Sequence, residues 1–237
     1  MSDSVRLDKY ISHMCNLTRS EIKQLIKARK ILVNNQPSKN DSKVNIKSDT
    51  VTLNNQVIHY EEFTYYFLNK PQNYVCSRTP QEGSNVFELI ISDQRPTLVS
   101  YGRLDKDTSG LLIISNDTQT LHKLLNNKKH VQKTYLVEHQ KNLTTQDIES
   151  LQKGVKLSDG TYTLAAKVQT IDKNHTYLTI TEGKYHQIKR MFSAINNKVT
   201  NLKRITFSNL NLADFNLNEG EYVKLNDQQI KLLKGEN

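Results

Sequence analysis

Asp105 and Asp107 stand two apart in the stretch Tyr101-Gly102-Arg103-Leu104-Asp105-Lys106-Asp107-Thr108-Ser109-Gly110, with an arginine ahead of them and two hydroxyls behind. Carboxylates in such a setting can attack, take a proton or hold a cation. The stretch runs straight into Leu111-Leu112-Ile113-Ile114, short and branched enough for a core strand, so the interior is predicted to hold the loop rigid. A loop fixed by a scaffold can aim a carboxylate, and Asp105 is the candidate.

A second stretch, Glu182 to Phe192, opens what reads as a helix. At helical spacing Tyr185, Ile188, Met191, Phe192 and Ile195 share one face, which must meet the core. Lys189 lies on the border of that face and Arg190 points nearly away from it. A lysine on a buried border calls for a carboxylate nearby. His186, at the helix start, reads as a structural hydrogen-bonder, and Asn196-Asn197 as the helix stop.

Taken singly, these residues also fit duller roles. Asp105 and Asp107 could cap a loop, Tyr135 could be a core aromatic, Lys189 could snorkel to solvent and Arg103 could touch only phosphate. Paired acids beside hydroxyls could also hold magnesium for a phosphodiesterase.

The elements that must position these groups follow from periodicity. Leu7, Tyr10, Ile11 and Met14 mark a first helix. Thr18 and Glu21 have the form of a capping box before a second, with Ile22, Leu25 and Ile26 as its apolar stripe. Arg19, Lys23, Lys27, Arg29 and Lys30 crowd its remaining surface. Short strands are expected at Ile31–Val33, Val44–Ile46 and Thr50–Leu53, with tight turns at Asn34-Asn35 and Asn54-Asn55. Gln56 to Glu62 is polar and aperiodic and reads as a linker, giving domains at 1–58 and 59–237.

Beyond it, strands are expected at Tyr65–Asn69, Tyr74–Ser77, Lys133–Val137, Leu164–Ile171, Thr176–Ile180, Ile205–Phe207 and Tyr222–Leu225. Helices are expected around Leu121–Leu125, capped by Asp117 or Thr118, and at Thr144–Leu151. Strands outnumber helices without regular alternation, which implies an α+β domain on a mixed or antiparallel sheet.

The chain has 237 residues, and lysine plus arginine outnumber aspartate plus glutamate 33 to 24, a net charge of +9. That balance favours polyanions. No apolar run is long enough to span a bilayer, and no cleavable signal or lipidation pattern is evident, so a cytoplasmic protein without membrane partners is expected. Cys15 and Cys76 lack metal-ligand or Cys-x-x-Cys spacing, which disfavours a disulfide or zinc framework.

The segment VRLDKYISHMCNLTRSEIKQLIKARKILVNNQPS resembles the small RNA-binding module of the ribosomal-protein-S4 type. The resemblance implies that the basic second helix and its following loop grip RNA phosphates as a general anchor. LNKPQNYVCSRTP, GRLDKDTSGLLIISND, KTYLV and EGKYHQIKRMF, in that order, resemble the motifs of bacterial ribosomal RNA pseudouridine synthases of the RsuA type. Two departures touch backbone geometry: Asn196 and Phe207-Ser208-Asn209 stand where relatives often carry glycine.

The resemblance implies a monomeric, cofactor-free and metal-free isomerase that turns uridine into pseudouridine in small-subunit ribosomal RNA or an assembling small ribosomal particle. It implies Asp105 as the catalytic carboxylate, either nucleophile at the anomeric carbon or base at its neighbour. Lys189 would pair with it and keep it ionised. Tyr135 would lie against the target base, Arg103 would fill the space of the flipped nucleotide, and Arg190 would meet RNA. Large-subunit RNA as substrate, or a non-catalytic assembly factor, are the alternatives.

Overall fold

The computed structural model describes residues 3–15, 17–91, 97–126 and 130–236. Residues up to Phe63 form one compact unit, and Thr64–Ile90 with the residues from Leu98 onward form a second.

In the first unit, Ser4–Arg6 (β1) leads into Leu7–Cys15 (α1) and Arg19–Lys27 (α2), followed by Ile31–Val33 (β2), Gln36–Pro37 (β3), Lys43–Asn45 (β4), Val51–Leu53 (β5) and Gln56–Ile58 (β6). The capping box is present: Thr18 Oγ1 accepts from the Glu21 amide at 3.3 Å and the Thr18 amide donates to Glu21 Oε2 at 2.8 Å. Asn34, Asn35, Asn54 and Asn55 all hold positive φ, as the two hairpin turns require. Leu7, Tyr10, Ile11, Ile22, Ile31, Val44 and Val51 close the core. The expected linker is shorter than its composition suggested. Gln56–Ile58 pairs with Val51–Leu53, and the Tyr10 hydroxyl donates to the Ile58 carbonyl at 2.6 Å. A short hairpin strand with one face in water has no reason to be apolar.

The second unit runs Tyr65–Lys70 (β7), Val99–Tyr101 (β8), Ser109–Ser115 (β9), Thr118–Leu125 (α3), Lys133–His139 (β10), Thr145–Lys153 (α4), Lys167–Thr170 (β11), His175–Ile180 (β12), Gln187–Ala194 (α5), Val199–Phe207 (β13), Leu210–Asn211 (β14), Tyr222–Lys224 (β15) and Asp227–Lys234 (α6). Its sheet has the order β11-β12-β10-β13-β9-β7-β15, with β14 on β13 and β8 on β9. Among the described strands β9 and β13 run parallel and the other pairs antiparallel, so the sheet is mixed. β9 and β7 are buried along their whole length.

Two local expectations need correction. Tyr74–Ser77 is not a strand; a single bridge, Val75 to Asn85, forms there. Helix α5 begins at Gln187, not at Glu182. A buried polar knot holds the preceding residues out of the helix: Gln187 Nε2 donates to Glu182 Oε1 at 2.8 Å, the Lys184 amide donates to Gln187 Oε1 at 2.8 Å, and Lys184 pairs with Glu182. Tyr185 is therefore off the apolar face and largely exposed. Asn196 and Ser208 hold φ of 57° and 54°, so the left-handed turns survive without glycine.

Candidate active site

The loop from β8 to β9 ends where β9 begins to run beside β13, and its backbone is tied down. Lys70, the last residue of β7, is fully buried. Its ammonium donates to the carbonyls of Thr108 at 2.7 Å, Pro71 at 3.0 Å, Asp105 at 3.1 Å and Lys106 at 3.5 Å. The Asn73 amide donates to the Lys106 carbonyl at 2.7 Å, and the Thr108 amide closes a turn on the Asp105 carbonyl at 3.1 Å. Leu104 plugs the loop into the core. At the loop's end Gly110 has φ of 100°, and a Cβ there would lie 2.2 Å from the Arg204 carbonyl oxygen, so only glycine lets β9 approach β13.

This mooring leaves the Asp105 carboxylate half-buried, facing helix α5. Lys189 Nζ lies 3.1 Å from Asp105 Oδ2 and 2.6 Å from Asp107 Oδ1. Burial pulls the Lys189 ammonium downward, but hydrogen bonds to Asp107 and Asp105 outweigh it and leave its pKa raised. Burial pushes the Asp107 carboxyl up, and the hydrogen bond and charge of Lys189 more than reverse this. Asp107 is thus a second partner of the lysine, in addition to the loop hydrogen bond its position suggests. His186, expected to be structural, makes no cap hydrogen bond and brings Nε2 to 3.6 Å from Asp105 Oδ1. Both acids converge on an ammonium, which already occupies the position from which they would share a cation. Among the described residues no three His, Cys, Asp or Glu side chains converge as metal ligands.

Asp105 opens on a cleft of about 630 Å³, roomy enough for a nucleoside and part of its neighbour. Tyr135, on β10, is buried in the core cluster and lines this cleft, as do Arg103, Lys133, Lys189 and Arg204. Arg103 is exposed. Lys133 and Arg204, which the sequence did not single out, are both buried, and Arg204 is the cross-strand partner of Tyr135. Arg204 donates through Nε to the Leu111 carbonyl at 2.7 Å, and burial together with this neighbouring charge pushes the Lys133 ammonium down to about 8. Arg190 lies on the same helix as Lys189 but bonds elsewhere, with Nη2 2.6 Å from Asp159 Oδ2. In the first unit Arg19, Lys23, Lys27, Arg29 and Lys30 are all exposed on or just after α2.

A module presenting a basic helix, and a mixed-sheet unit holding an ion-paired carboxylate in a basic cleft, fit an enzyme that acts on nucleic acid. The comparisons with known proteins narrow the class. The model for RNA pseudouridylate synthase matches residues 64–194, and that for the S4 domain matches residues 5–57. An uncharacterized RNA pseudouridine synthase of Bacillus subtilis (strain 168) is 39% identical over 236 residues, covering 97% of this chain and 98% of that protein. The ribosomal small subunit pseudouridine synthase A of Haemophilus influenzae is 34% identical over 231 residues, covering 97% and 99%. A crystal structure of pseudouridylate synthase aligns with TM-score 0.69 at 33% identity, covering 97% and 99%. The chain belongs to the RNA pseudouridylate synthase family and joins an RNA-binding S4 domain to its catalytic domain.

Proposed function

We propose that the chain converts uridine to pseudouridine in small-subunit ribosomal RNA, with Asp105 as the catalytic carboxylate. The reading rests on one observation: the Asp105 carboxylate, carried on a backbone that Lys70 moors and held by Lys189 at 3.1 Å, opens on a cleft lined by Tyr135. The substrate class follows from relatives whose names specify the small ribosomal subunit and that match nearly the whole chain.

The reaction breaks the bond from C1′ to N1 of the base, turns the uracil and forms a bond from C1′ to C5. The C5 proton leaves and N1 gains one, so no atom is added overall and no co-reactant is needed. Asp105 either attacks C1′ or removes the C2′ proton. Both routes require the ionised carboxylate, which the fixed ammonium of Lys189 favours. Tyr135 lies against the base, Arg103 contacts the RNA opened by the flipped nucleotide, and α2 with Arg29 and Lys30 anchors the RNA through phosphate. The protein acts as a monomer in the cytoplasm, where ribosomal RNA is assembled.

Tritium release from small-subunit ribosomal RNA labelled at uracil C5 tests this, with wild type and Asp105→Asn compared in EDTA. Release by wild type alone, with equal RNA binding by both, is expected. Equal release by the variant would remove Asp105 from the chemistry, and release confined to large-subunit RNA would overturn the substrate.

A further inference from the structure

Tyr185 is 77% exposed. Its ring stacks on His186, with centroids 3.9 Å and planes 18° apart. His186 adopts left-handed backbone with φ of 47°, and its ring stands beside Asp105 with Nε2 3.6 Å from Oδ1. Both rings line the cleft that holds Asp105. Leaving a tyrosine ring in water forgoes the gain of burying it, yet the position is firmly built. The Glu182–Lys184–Gln187 knot fixes one side, and Arg190 Nη1 donates to the Tyr185 carbonyl at 3.2 Å on the other.

We propose that the Tyr185–His186 stack is a platform for the nucleobase flanking the target uridine; this rests on Asp105 being the group that meets the target ribose. Tyr135 also lines the cleft but is buried, so it offers little ring surface beyond the cleft itself. Tyr185, by contrast, is open to solvent and lies one stacked ring beyond Asp105, within reach of a base next to the one whose ribose Asp105 meets. Unstacked RNA bases are held on exposed aromatic rings in this way, and because every base has a π-face the contact adds affinity and register without reading sequence. Arg103, Lys106 and Lys184 line the same cleft and supply charge for the adjoining phosphates.

The chain has no tryptophan, so Tyr185→Trp carries a single tryptophan at the proposed contact, which red-edge excitation separates from the tyrosines. Two single-stranded RNAs serve as probes, one with a lone uridine between adenosines and one in which the flanking bases are replaced by abasic ribose. Saturable quenching by the first and its loss with the second is the expected result. Quenching that survives abasic flanks would mean that the ring meets the uracil itself. No quenching by the first RNA, with its binding verified by anisotropy, would leave the platform without a ligand. Either result overturns the proposal.

In steady-state modification, Tyr185→Ala should raise KM about tenfold with kcat held, and Tyr185→Phe should restore it. A fall in kcat instead would place Tyr185 in the chemistry and refute the platform. Failure of the wild type to modify RNA would count against the Asp105 reading, and the fluorescence arm would still decide the platform.

Discussion

Lys189 serves two carboxylates with one ammonium, and the shorter contact, 2.6 Å, goes to Asp107 rather than to Asp105 at 3.1 Å. The Asp107 side chain is 68% exposed, so solvent screens that pair and it holds the lysine's orientation more than it adds energy. Asp107→Asn should therefore lower kcat by about tenfold or less. Lys189→Met, which strips both acids of their counter-ion, should lower it by roughly a thousandfold. Single-turnover tritium release ranks the two, and a loss with Asp107→Asn as deep as with Asp105→Asn would exchange the acids' roles. Asp107's pKa in the fold is below its ordinary value, so its stabilising share persists above the ordinary carboxylate range and fades as pH falls through the folded value. The inward turn of Lys189 was legible in the sequence, because Ile188, Met191 and Phe192 fix the helix phase. The part played by Asp107 was not, because the turn that points it at Lys189 is imposed by Lys70 from another strand. Nor was His186: its left-handed backbone is set by the polar knot, which carries no periodic signal.

Among elements, β7 does more than fill the sheet. Its apolar run was plain, but nothing local shows that the lysine at its end turns inward to gather four carbonyls. Burial, against the attraction of Cys76, Asp107 and Asp105, pushes the Lys70 ammonium down to about 8 from its ordinary 10.5. The folded value is the lower one, so between about pH 8 and 10.5 the unfolded chain binds more protons and stability rises with pH, by up to about 1.4 kcal/mol per pH unit for each such group. Lys133 contributes in the same direction. Lys70→Met should flatten this slope by the share of one group. At neutral pH the loop carbonyls lose their donor while a buried charge is also removed, so the net cost should be about 1–2 kcal/mol. Urea unfolding across the pH range reads both, and an unchanged slope would mean that Lys70 does not titrate in this window. Modification should fall with it, since the backbone that aims Asp105 is no longer held.

Across the whole molecule, each unit has its own hydrophobic core, with Leu7 to Val51 closing the first and Tyr66 to Leu202 the second. The division was legible because the helical stripes of the first segment and the long strands of the second each bury their own apolar residues. The stretch near Gln56 misled, since polarity alone does not distinguish a linker from an exposed hairpin. Separate cores allow separate duties: chemistry needs the cleft, whereas affinity for a polyanion needs only well-placed positive charge, and the net charge of +9 supplies it in excess. Lys23, Lys27 and Lys30 are exposed and outside the cleft, so changing all three to glutamine should leave kcat at saturating RNA intact. Removing one lysine–phosphate pair lowers the slope of log affinity against log salt by about 0.7 on single-stranded RNA, which puts the expected change near 2. Filter binding over a salt series measures that slope. If it does not move while affinity falls, the weakening comes from altered folding of the small unit; if neither moves, the basic helix does not face the RNA and the anchor lies elsewhere on the chain.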